Sequence, residues 1–283
     1  MTAPGPAAVE TPSGKGTGDE NFPVGSFLLP ARLRPHVAAF YAFARAIDDI
    51  ADNPALAPED KIVRLDLMAA AMRGERLDDA RLATAHRCRE SLLASRVPIQ
   101  HCLDLIAAFK QDATKLRYRD WDDLMGYCIL SAAPVGRYLL DLHGEDRASY
   151  PASDALCNAL QVLNHLQDCK DDKRALDRVY LPEPWLRAEG ASVEDVLAPR
   201  ASPGLRRVID RLLVETDALI AVAETLPGQL RDKRLAMESG AIVRIAMRLS
   251  HALKRRDPIA ERVKLSKLQF LGCAAVGAIR AWL

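Results

Sequence analysis

The sequence predicts an all-α protein, and three observations carry that expectation. No stretch alternates apolar and polar residues at a period of two, so no sheet is expected. Almost every segment after residue 30 reads as helix, with the Ala and Leu content that favours one. Pro, Ser and Asp fall where helices begin.

The elements follow in chain order. Pro30 and Pro35 punctuate entry into a first helix that runs to about Asp52, and Asn53-Pro54 breaks it. Pro58, followed by Glu59 and Asp60, opens a second helix to about Arg73. A more polar helix is expected over 78–95, and Pro98 starts another through Lys110. Asp120 caps a long helix over 121–142 that Pro134 should kink. Ser153 is expected to cap the next helix, which ends before Val179-Tyr-Leu-Pro-Glu-Pro184. Ser192 with Asp195 suggests a short capped turn. Helices at about 204–225, 228–255 and 259–282 complete the chain.

Bulk properties narrow the function. A net charge of +1 indicates neither a nucleic-acid partner nor an acidic tail. The six cysteines form no Cys-x-x-Cys pair and no zinc spacing, which fits a reducing cytoplasm. Residues 1–19 are rich in Pro, Gly, Ala, Ser and Thr and read as a disordered tail rather than a signal peptide. Gly14-Lys-Gly-Thr-Gly18 within it matches neither phosphate-loop pattern, and no strand precedes it. Residues 20–283 read as one helical domain without internal repeat or linker. The last helix, from Leu268, is strongly apolar, but it is short and interrupted by Arg280. A core helix is the first reading and a peripheral membrane contact the alternative.

The chemistry concentrates in two acidic stretches. In Val37–Asp52 the aromatic, Ala and Ile positions wrap most of the circumference, as in a helix buried on nearly all sides. Yet Asp48 and Asp52 are one turn apart on one face, with Arg45 three residues before Asp48 on that face and Asp49 beside it. Buried carboxylates are costly unless paired or metal-bound, and one Arg does not neutralise three Asp. In Gln161–Asp172, Asn164, Asp168 and Asp172 line a second stripe. An isolated Asp-x-x-x-Asp in a chain with 27% charged residues ordinarily lies on a solvated face. Here one motif interrupts an apolar helix, the other has Asn one turn upstream, and both lie in an all-helical chain where inward carboxylates converge. A di-iron or di-manganese bundle would use Glu-x-x-His, which occurs nowhere in the chain. Two facing stripes would make an oxygen cage for Mg²⁺, which keeps open positions for water and substrate phosphates. Such a site grips a diphosphate and makes it a good leaving group, with Arg45 adding bidentate contacts. Loss of diphosphate in an apolar chamber leaves a carbocation. Phe22, Phe40, Tyr41, Phe43 and Tyr127 are candidates to face it, with core packing the plainer reading of Phe40 and Phe43.

Phe40-Tyr-x-Phe-x-Arg-x-x-Asp-Asp-x-x-Asp52 with Asn164-x-x-x-Asp-x-x-x-Asp172 resembles the squalene/phytoene synthase family, over about residues 20–270. The resemblance implies an isoprenoid-synthase-like helical bundle with a central cavity. Glu20–Ser26, Leu29–His36 and Ser131–Arg137 look most like the bacterial branch that makes hydroxysqualene in the hopanoid pathway. That branch takes presqualene diphosphate, expels diphosphate and captures the rearranged cation with water. It needs no nicotinamide cofactor, in keeping with the absence of a dinucleotide fingerprint. The resemblance implies that Asp48, Asp52, Asn164, Asp168 and Asp172 ligate Mg²⁺, with Asp49 supporting. It places Arg45, Ser26, Tyr41 and Gln161 at the diphosphate end, Tyr127 near the reacting carbons, and Arg178 and Tyr180 where they close the site. Three features depart from the wider family: Gln167 stands where Arg is common, the second motif ends Lys170-Asp171-Asp172, and Ile129-Leu130 follows Tyr127-Cys128. Two other readings stand beside this one. One is condensation of two prenyl diphosphates to presqualene diphosphate, squalene or phytoene; the other is a catalytically silent helical assembly factor.

Overall fold

A computed structural model describes residues 9–11 and 29–282, and the described residues contain helices and no strand. By its internal contacts the chain divides into two compact units, residues 1–114 and 115–283.

The first unit is built from α1 (Arg34–Ala51), α2 (Pro58–Arg73), α3 (Ala83–Ser95) and α4 (Gln100–Asp112). Helix α2 has the expected bounds: Pro58 starts it, Glu59 and Asp60 sit in its first turn, and Gly74 ends it in the left-handed region at φ +90°. The expected helix over 78–95 is instead a 3-10 turn, Ala80–Leu82, followed by α3. Asp79 causes the early turn, its carboxylate accepting the Arg81 N–H. Helix α1 buries Phe40, Phe43, Ile47, Ile50 and Ala51, but Ala38 and Ala42 are exposed, so it is not buried all round. Phe40 and Phe43 take the core positions of the plainer reading.

Residues 9–11, inside the stretch read as tail, are held against this unit. Val9 is buried and its carbonyl accepts from Arg64 at 2.9 Å. The Glu10 carboxylate accepts the Thr84 N–H at 3.2 Å and hydroxyl at 2.9 Å, which caps the start of α3. The Thr11 hydroxyl donates to the Asp49 carbonyl at 3.0 Å.

The second unit contains α5 (Trp121–Ser131), α6 (Ala133–His143), α7 (Tyr150–Leu176), α8 (Glu183–Ala188), α9 (Pro203–Ala223), α10 (Leu226–Gln229), α11 (Lys233–Arg255) and α12 (Lys267–Trp282). Helix α7 runs through its middle and packs on α5, α6, α9 and α11. Asp120 caps α5 as expected, accepting the Asp123 N–H at 2.8 Å. The kink expected from Pro134 is a full break at Ala132, which separates α5 from α6. Helix α7 starts at Tyr150 with Ser149 at its cap, so Ser153 is interior rather than capping. Gly136 of α6 makes room for it, since a Cβ there would overlap the Ser153 hydroxyl. Ser192 and Asp195 form the capping box read from sequence.

Two expected helices are shorter. The one over 228–255 splits into α10 and α11, because Asp232 restarts the helix by accepting from Arg234 and Leu235 N–H. The one over 259–282 begins only at Lys267, and residues 256–266 form a loop. The core-helix reading of the C-terminal segment also fails: α12 buries Gly277 against α11 and leaves Leu268, Leu271, Val276 and Ile279 exposed.

Candidate active site

Each acidic stretch forms a half-exposed stripe on its own helix. On α1, Tyr41, Arg45, Asp48 and Asp52 share one face and are neither buried nor fully exposed. Arg45 donates to the Asp48 carboxylate at 2.6 Å and lies 6.0 Å from the Tyr41 ring centre, so cation, acid and aromatic form one strip. Asp49 is buried one residue round from that strip. The α1 C-terminus is fixed by Lys61, which donates to the Ala51 carbonyl at 2.7 Å.

On α7, Gln161, Asn164, Asp168 and Asp172 are likewise half-exposed, while Val162, Leu163, Leu166 and Cys169 between them are buried. The helix thus turns its apolar side to the core and its oxygen donors outward. Burial pushes the Asp168 carboxyl above the usual range, and Arg262 and Lys264 oppose that shift. Arg262 makes a 2.7 Å ion pair with Asp168.

The loop that brings Arg262 there is tied down by Gln167 and Lys170 of α7. Gln167 donates to the Val263 carbonyl at 2.6 Å. Lys170 donates to the carbonyls of Ile259 at 3.0 Å and Ala198 at 2.6 Å. Ile259 and Val263 are themselves buried, which plugs the loop onto the helix. Gln167 thus anchors the loop that carries Arg262 to Asp168. Sequence reasoning missed Arg262 and Lys264, because no local pattern marks them.

Tyr127 of α5 and Tyr180 of the extended segment after α7 meet in an aromatic cluster. Their ring centres are 5.6 Å apart, and Tyr118 joins at 5.8 and 5.4 Å. His165, also missed, stacks on Tyr180 at 3.4 Å between ring centres. His165 and Tyr180 line a small cavity with Leu124, Val162 and Leu212. Burial, with the Arg178 guanidinium adding to it, lowers the imidazole pKa to about 3 and keeps it neutral. Arg178 is buried and donates to the Tyr180 hydroxyl at 3.4 Å, so these two residues brace one another. The segment is positioned by the Val179 and Glu183 N–H groups, which donate to the Leu116 and Tyr118 carbonyls at 3.0 Å.

Ser26 and Phe22 lie outside the described residues. Among the described residues, no three His, Cys, Asp or Glu side chains converge as a ready cation site. The donor chemistry still suits Mg²⁺: both stripes offer oxygen ligands one helical turn apart and no thiolate or imidazole.

The family model for squalene/phytoene synthase matches residues 16–269. The chain belongs to that family. Among its relatives in the family, the hydroxysqualene synthase of Rhodopseudomonas palustris is 44% identical over 96% of this chain and 92% of its own. That of Zymomonas mobilis is 42% identical over 94% and 89%. The crystal structure of squalene synthase HpnC from Alicyclobacillus acidocaldarius superposes with a TM-score of 0.71 at 34% identity, over 82% of this chain and 87% of that one. A dehydrosqualene synthase structure gives a TM-score of 0.75 at 18% identity, over 89% and 88%, which shares the fold. The all-α isoprenoid-synthase-like fold expected from sequence is thus the observed one.

Proposed function

We propose that the chain is a hydroxysqualene synthase, converting presqualene diphosphate and water to hydroxysqualene and diphosphate in squalene and hopanoid biosynthesis. The observation that carries this reading is the presence of both acidic stripes in a chain 44% identical, over nearly its whole length, to a hydroxysqualene synthase.

Asp48, Asp52, Asn164, Asp168 and Asp172 would hold Mg²⁺, with Asp49 supporting from its buried position. The metal supplies neutralisation of the diphosphate charge. Arg45, Tyr41, Ser26 and Gln161 bind the diphosphate, joined by Arg262, whose planar guanidinium suits phosphate oxygens. The C–O bond breaks with both electrons leaving on diphosphate. The cyclopropylcarbinyl cation opens, water adds through oxygen, and one water proton departs. Tyr127, Tyr180 and Phe22 offer π faces to the cation, and Arg178 holds Tyr180 in place. A neutral His165 at that wall avoids setting an imidazolium against a carbocation. The chain is proposed to act in the cytoplasm in peripheral contact with membrane, without nucleic acid or a nicotinamide cofactor.

The deciding experiment incubates the protein with presqualene diphosphate and Mg²⁺, without NADPH. A tertiary C30 alcohol is expected. Consumption of farnesyl diphosphate alone would assign the condensation reaction instead, and no turnover of either substrate would leave the silent assembly reading.

A further inference from the structure

We infer that α12 is a docking surface for an anionic lipid bilayer. Leu268, Leu271, Val276 and Ile279 are 83, 63, 43 and 59% exposed. At 3.6 residues per turn these side chains, with exposed Gly272 and Ala275 between them, occupy an arc of about 140° on one side of the helix. Exposed Lys267 lies beyond one border of the arc, and exposed Arg280 beyond the other. Cations at both edges of an apolar stripe are placed to reach headgroup phosphates while the stripe enters the acyl boundary.

Charge on the page points to the sign of the partner. Between Val263 and Trp282 the sequence contains Lys264, Lys267 and Arg280 and no Asp or Glu. A second copy of the chain fits less well. A two-fold contact through this stripe would set each cationic border against another cationic surface.

The helix lies on a bilayer rather than through it. Its sixteen described residues span about 24 Å, and no described helix is long and apolar enough to cross a membrane. Its other side is committed to the protein. Gly277 is buried against Gly240 of α11, and a Cβ on Gly240 would come within 2.6 Å of the Gly277 carbonyl oxygen. The two backbones touch, so the stripe is mounted rigidly and faces outward. This inference deepens the peripheral membrane contact proposed above by assigning its surface and lipid class; its test reads α12 and not the reaction.

Co-sedimentation tests it with the full chain and two sets of vesicles, phosphatidylcholine alone and phosphatidylcholine mixed with phosphatidylglycerol. The parent protein is expected to bind the mixed vesicles and to lose binding at high salt. The double variant Leu271→Gln/Ile279→Gln should bind at least about tenfold more weakly, and Lys267→Glu/Arg280→Glu should lose the preference for phosphatidylglycerol. Thermal melts should match the parent, since all four side chains are exposed. The inference is overturned if the apolar double variant sediments with mixed vesicles as the parent does. It is also overturned if sedimentation velocity shows a parent dimer that this variant dissociates, which would make a second copy the occupant.

Discussion

His165 shows how one side chain links stability to pH. Its pKa in the folded protein is about 3, set first by burial and then by the Arg178 guanidinium, against about 6.5 unfolded. The unfolded chain therefore binds an extra proton between those values. Stability from keeping the ring neutral is fully present above about pH 6.5 and is lost as pH falls toward 3. Between pH 7 and 5 the unfolding free energy should drop by about 2 kcal/mol more in the parent than in His165→Phe, which keeps a ring on Tyr180. Urea melts of both proteins at the two pH values measure this, and carboxylates common to both cancel in the difference. Equal drops would show that the imidazole is solvated. Arg262 acts at the same scale on a different quantity. Arg262→Ala removes the guanidinium bonded to Asp168 and should lower kcat/KM roughly tenfold, with Arg262→Lys recovering part of the loss.

Helix α7 and the loop over 256–266 show what the sequence reveals at the scale of elements and what it hides. The start of α2, the cap of α5 and the capping box at Ser192 were legible because each depends on residues within a turn of one another. The loop read as the start of a helix because Ile259, Val263 and their neighbours are spaced like one. Its carbonyls at Ile259 and Val263 are instead taken by Lys170 and Gln167 from a distant part of the chain, which no local pattern encodes. The acidic stripes were legible from spacing alone; Arg262 and His165 were not, since a lone cation and a lone imidazole carry no period. Gln167→Ala leaves the buried Val263 carbonyl without its donor at a cost of about 1–3 kcal/mol. Amide exchange over 257–266 should then speed up by about tenfold or more, while that in α9 stays unchanged. Gly240→Ala tests the other attachment of this region. An exposed helical Gly→Ala change would gain about 1 kcal/mol. Here the new Cβ meets the Gly277 carbonyl, so the melting temperature should fall and α12 should become sensitive to protease.

For the whole molecule, the question is whether acids carried by two compact units serve one diphosphate. Asp48 belongs to the first unit and Asp168 to the second, and each stripe alone is a common surface pattern. Groups that act on the same charge are strongly non-additive: once one is removed, removing the other costs little more. Asp48→Asn and Asp168→Asn should each lower kcat/KM by about 100-fold or more, by weakening Mg²⁺ and diphosphate binding. If both act on one diphosphate, the double variant should be little worse than the poorer single one, a coupling of about 2–3 kcal/mol. Mg²⁺ titrations of the single variants should move in parallel to higher concentration, and saturating Mg²⁺ should recover part of the activity. Losses that multiply, with only one variant changing its Mg²⁺ requirement, would assign the two stripes separate duties and confine metal binding to one unit.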